Sequence, residues 1–156
     1  MNEDLRAIER ELALIGRHQV MVADKPDNTR LDRSAYLLLT RLEIEGLMSV
    51  GELAEAFRLD VSTVTRQTAA MVRSGLVDRI PDPGGGIARK LRITQVGARR
   101  LAADRAWMYR GLERVLAGWA PEDVRRLAES LAQFNNSVEQ LEGRAWPRPT
   151  PVDDEG

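Results

Sequence analysis

The stretch from Ser49 to Gly75 leaves the chain few ways to fold. "SVGE", Ser49 to Glu52, is a capping box: the hydroxyl of Ser49 suits the third backbone N–H of a helix, and the Glu52 carboxylate can reach back to the cap. Met48 and Leu53 flank it at staple positions, and Leu53, Ala54 and Phe57 form an inner face. After "RL" a new cap stands at Asp60, and Val64, Thr68, Met71 and Val72 recur at the spacing of one helical stripe. Gly75 sits where a helix ends in a left-handed residue. Two short helices therefore meet across a tight turn, and the second sends Ser62, Thr63, Thr65, Arg66 and Arg73 outward.

A hairpin follows. In "VDRIP", "DPGGG" and "ARKLRI", inward Leu91 and Ile93 alternate with outward Lys90 and Arg92 around a glycine-rich tip. The tip is no phosphate cradle, because a strand rather than a helix N-terminus comes after it. Upstream, Asp32 caps a helix stapled by Leu31 and Tyr36, with Leu38, Leu39 and Leu42 on its buried face and Gly46 at its end.

The outer segments are amphipathic. Leu5, Ile8, Leu12, Ile15, Gln19 and Val22 make one stripe, broken by "ADKPDNT" at 23–29. Thr94 caps a long helix whose Leu101, Met108, Leu112, Val115 and Trp119 keep a seven-residue rhythm interrupted at Arg105. Pro121 opens a last helix behind Ala120, a poor cap, and its seam is Val124, Leu127, Leu131, Phe134, Val138 and Leu141. The expected organisation is an N-terminal dimerisation helix and linker at 1–30, a central module at 31–94, C-terminal helices at 95–143 and a disordered, Pro-rich acidic tail at 144–156.

Composition narrows the chemistry. The chain of 156 residues has no cysteine and a single histidine, His18, so thiol chemistry is absent and a metal site or other cofactor is not expected. No nucleophile–base pair or cofactor fingerprint stands out, which argues against an enzyme. The acidic, mixed start "MNEDLRAIERELALIG" and the lack of any long apolar run predict no membrane association and a cytoplasmic location. Net charge is −1, but its distribution is uneven. Between Arg58 and Arg100 lie Arg58, Arg66, Arg73, Arg79, Arg89, Lys90, Arg92, Arg99 and Arg100 against Asp60, Asp78 and Asp82.

Helix, tight turn, helix and hairpin form the winged helix-turn-helix plan. The predicted fold is mainly α with a small β-hairpin wing, flanked by N- and C-terminal dimerisation helices. A helix fits the major groove of B-DNA, where Ser62, Thr63 and Thr65 offer short polar groups and Arg66 a guanidinium that pairs with guanine. Arg73 suits a phosphate, and Arg89, Lys90 and Arg92 can follow the backbone toward the minor groove.

At these residues the chain resembles the MarR family of bacterial transcription regulators. "STVTR" at 62–66, "GLVDRIPDP" at 75–83 and "LRITQVG" at 91–97 match the family's recognition helix, strand-into-wing segment and Leu-Thr-x-x-Gly junction, in order and spacing. Two departures are visible. Gly85 and Gly86 stand where the family usually has an Asp-Arg pair at the wing tip, so that arginine is either lost or supplied by Arg89. Gln67 and Thr68 occupy positions where aliphatic residues are common, which predicts looser packing of the recognition helix.

The resemblance implies a repressor relieved by a small aromatic effector bound between the dimerisation helices and the winged module. His18, Tyr36 and Trp107 are the candidate effector contacts, although Trp107, Tyr109 and Trp119 also suit a core or a dimer seam. The apolar stripes of the outer helices exceed what one module can cover, which predicts a two-fold homodimer on a pseudo-palindromic double-stranded operator. A winged helix used only for protein–protein interaction is the alternative.

Overall fold

The computed structural model describes residues 2–17 and 30–148. Helix α1 spans Glu3–Ile15 and is capped by Asn2, whose side chain accepts from the Asp4 N–H at 2.9 Å. His18, Gln19 and Val22, expected on or beside the first helix, lie outside the described residues.

Helix α2 runs Arg33–Glu45. Asp32 caps it by accepting from the Ala35 N–H at 2.8 Å, and Leu31 and Tyr36 are half-buried against the core. Gly46, at φ +83°, ends it with its N–H on the Leu42 carbonyl.

Strand β1, Met48–Ser49, was not anticipated: two residues are too few to carry a periodicity, and its pairing partner is more than forty positions away. Helix α3, Val50–Phe57, begins at the expected capping box, and helix α4 spans Val61–Arg73. Arg58, at φ +53°, makes the tight turn between them. Asp60 occupies the cap position of α4 but its side chain makes no cap bond. At the far end of α4 the Gly75 N–H meets the Val72 carbonyl and the Leu76 N–H the Met71 carbonyl, a Schellman closure that Gly75 permits at φ +72°.

Strands β2, Val77–Ile80, and β3, Lys90–Ile93, complete an antiparallel sheet of order β1-β3-β2, with Val77 opposite Ile93 and Met48 opposite Leu91. Helix α5 covers Gln95–Leu116 and α6 Pro121–Glu142. Arg105, the residue that breaks the apolar rhythm of α5, reaches across to α2 and pairs with Glu43 at 2.6 Å.

The core lies within the central module. Leu38, Leu39, Leu42, Leu53, Val64, Val77 and Leu91 are enclosed there, and Leu101 joins them from α5. At about 1.5–3 kcal/mol per enclosed aliphatic side chain, this cluster is the main source of stability in one chain. Thr68 is packed among them at 1% exposure, and its hydroxyl donates to the Val64 carbonyl at 2.8 Å. The loosening expected there is absent at Thr68, because the polar atom is satisfied inside its own helix. Neither α1 nor α6 buries a single residue. No helix among the described residues is long and apolar enough to cross a membrane.

Candidate nucleic-acid interface

Helix α4 turns Val64, Thr68 and Met71 into the core, which leaves the opposite face open. At about 100° per residue, Ser62, Arg66 and Arg73 fall close to one line along that face, with Thr65 beside them. All four are exposed. Thr63 lies about a quarter turn away and is half-buried. The Thr65 hydroxyl donates to the Val61 carbonyl at 2.7 Å, which leaves its oxygen facing outward as an acceptor.

The sequence pattern did not single out Leu59 and Val61, yet both are exposed apolar residues at the entrance to α4. Once Asp60 is placed as the cap, position 61 becomes the first helical residue, and that was the available signal.

The three wing cations differ in their surroundings. Lys90 is held inside the chain: its ammonium contacts both Glu52 carboxylate oxygens at 2.8 Å. The same carboxylate accepts the Ser49 N–H at 2.7 Å to complete the capping box, and Ser49 is the sheet partner of Lys90. The hydrogen bond from Lys90, followed by that from Ser49, keeps the Glu52 carboxyl below its ordinary value of 4.5, and the same pairing raises the Lys90 ammonium.

Arg89 folds back across the hairpin to donate to the Arg79 carbonyl at 3.2 Å. Arg92 pairs with Asp78 at 3.3 Å, both side chains more than half exposed, an ion pair weak enough to exchange for another anion. The tip itself carries no cation. Asp82 organises it by accepting from the Gly84 N–H at 2.8 Å, and Gly85 turns at φ +81°.

The junction after the wing is tightly specified. Thr94 donates to the Gly75 carbonyl at 2.6 Å and accepts the Gly97 N–H at 3.0 Å, so one hydroxyl joins the end of α4 to the start of α5. Gly97 lies directly on the Leu76 carbonyl, where a Cβ would have no room.

Between the start of α2 and the middle of α5 lies a cleft of about 280 Å³, lined by Arg30, Leu31, Arg33, Tyr36, Leu37, Asp104 and Met108. Of the predicted effector contacts among the described residues, Tyr36 lines it and Trp107 does not, while His18 lies outside the described residues. Trp107 lies half-buried on α5 with the Arg110 guanidinium 4.5 Å from its ring centre. Tyr109 and Trp119 are exposed, so neither belongs to the core of a single chain. Among the described residues no group of three His, Cys, Asp or Glu side chains is placed to hold a metal ion.

A short helix, a tight turn, a second helix with an open polar face and a sheet-borne wing define a winged helix-turn-helix DNA-binding module. Residues 31–85 match the model of the MarR family. The chain is 36% identical over 131 residues to the HTH-type transcriptional regulator YxaD of Bacillus subtilis, covering 83% of this chain and 92% of that one. It is 28% identical over 111 residues to the HTH-type transcriptional repressor IacR of Pseudomonas putida, covering 71% and 66% respectively.

Among solved structures, a MarR family protein from Bacillus stearothermophilus superposes with a TM-score of 0.70 at 26% identity, covering 88% of this chain and 98% of that one. The organohalide-sensing regulator RdhR-CbdbA1625, in its 2,4-dichlorophenol-bound form, shares the fold with a TM-score of 0.68 at 16% identity over 98% of this chain and 95% of its own. The chain belongs to the MarR family and is a DNA-binding regulator of transcription.

Proposed function

We propose that the protein is a dimeric repressor that reads a pseudo-palindromic operator and releases it when a small aromatic molecule binds. The observation that carries the dimer is the absence of any buried residue in α1 and α6, although each bears an apolar stripe. Leu5, Ile8, Leu12 and Ile15 on α1, and Leu127, Leu131, Phe134, Val138 and Leu141 on α6, are all exposed in one chain. Apolar surface of this extent is stable in water only when covered, and a second copy offers the matching stripes. Pairing through these helices presents two α4 helices to successive major grooves about 34–36 Å apart.

In this reading Arg66 contacts a base edge, with Ser62, Thr63 and Thr65 close to the groove floor. Arg73 and Arg92 meet phosphates, and Arg89 lies at the base of the wing near the backbone. Lys90 contributes chiefly by fastening the wing to α3 through Glu52.

The repressor role is supported by the likeness to IacR, and the effector class by the dichlorophenol bound to RdhR-CbdbA1625. The cleft beside Tyr36 has room for one substituted ring and both acid and base on its walls. An effector that favours a different spacing of the two α4 helices lowers operator affinity by its differential binding. Selection of bound fragments from random duplex DNA, followed by binding titrations at two salt concentrations with and without 2,4-dichlorophenol, tests the proposal. It expects an inverted repeat, binding that weakens with salt, and release by the phenol. Recovery of no repeat would remove the dimeric operator reading.

A further inference from the structure

The segment after α6, expected to begin a disordered tail, is folded through residue 148 and attached to the DNA-binding module. Gly143 turns the chain at φ +69°, and the Arg144 N–H returns to the Glu139 carbonyl at 3.0 Å. Glu139 then accepts the Trp146 N–H at 3.0 Å and holds the Arg148 guanidinium through both oxygens, at 2.6 and 3.0 Å. One carboxylate on the last turns of α6 thus shapes the whole strap.

The strap ends on the indole of Trp146. Its ring meets Phe57 edge-on at 5.2 Å between centres and 78° between planes, and the Arg41 guanidinium lies 5.0 Å from its centre on another side. Phe57 is the last residue of α3, directly before the left-handed Arg58 that turns the chain into α4. Arg41 belongs to α2, which carries the core leucines. The indole therefore touches both helices behind the tight turn, while its backbone is bonded to the helix whose stripe is left for a partner copy. An edge-to-face ring pair and a cation over an indole are directional contacts.

We propose that Trp146 is a positioning residue, fixing the attitude of the helix-turn-helix unit relative to α6 and thereby the distance between the two recognition helices. The inference rests on the dimeric operator reading above. From α6 the chain returns to the module through α5, and the indole adds a contact between α6 and the module that does not run through α5.

The test uses the full chain as Trp146→Ala, Trp146→Phe and Glu139→Gln, beside the parent protein. Each is titrated against the selected operator and against versions with one base pair added or removed between half-sites, and its mass is measured by light scattering. We expect Trp146→Ala to keep the mass of the parent and its salt-dependent binding to random DNA, while its preference for the natural spacing falls about fivefold or more. Trp146→Phe, which retains an aromatic edge for Phe57, is expected to recover most of that preference, and Glu139→Gln to fall between. Loss of folding alone would weaken every duplex alike and leave the spacing ratio unchanged. Spacing discrimination equal to the parent in Trp146→Ala, or in Glu139→Gln should the alanine variant not fold, overturns the inference. A parent protein that binds DNA with no spacing preference overturns the operator reading first, and this inference with it.

Discussion

Gly97 shows how little tolerance a single position can have. Any side chain there must push the Leu76 carbonyl away, and that carbonyl accepts the Thr94 N–H that anchors the start of α5. Gly97→Ala should therefore cost about 1–3 kcal/mol of stability by overpacking, read as a shift in the urea midpoint. Glu52 is the second such residue. Its folded pKa is depressed, so its contribution is fully present above the ordinary carboxyl value of 4.5 and is lost as pH falls through the lower folded value. Glu52→Gln is expected to melt at a lower temperature than the parent at neutral pH, and the gap should close as the solution is acidified through that window. A gap independent of pH would show that the carboxylate charge is not what matters.

At the scale of the elements, the proposed operator reading divides DNA contact between α4 and the wing. Arg66→Ala should cost about 1–3 kcal/mol on the selected operator and flatten its base preference. Equal loss on random duplex would place Arg66 on phosphate instead. Arg92→Ala should weaken all duplexes alike and reduce the salt slope by about one, which a titration across salt concentrations measures directly.

These elements were largely legible in the sequence because their boundaries are written in local chemistry. Asp32, the Ser49–Glu52 box, Gly75 and Thr94 each act on backbone groups within a few positions, and all four do what their residue types predict. The rest depended on distant partners. Strand β1 exists because Leu91 and Lys90 lie beside it, and the alternation that sends Lys90 outward carries no sign of Glu52, 38 positions away, which holds its ammonium. Arg105 looked like a fault in a heptad, and Glu43 explains it. Trp146 sits in a Pro-rich stretch whose composition signals disorder, and only the neighbouring Phe57 and Arg41 give it a place.

For the whole molecule, the decisive fact is that the enclosed side chains belong to the module and its junction with α5, while α1 and α6 stand open. A charge on the α6 stripe should therefore separate the copies without unfolding the module. Phe134→Asp is expected to give a monomer by light scattering, with the melting of the central module retained and operator affinity reduced to that of a single half-site. A variant that stays at the mass of the parent would move the seam elsewhere.

The carboxylate of Glu52 joins a helix start, a sheet edge and the base of the wing at one point. Because of that shared anchor, the start of α3 and the base of the wing are fastened to each other. A tilt imposed on α3 from outside the module is therefore carried to the base of the wing.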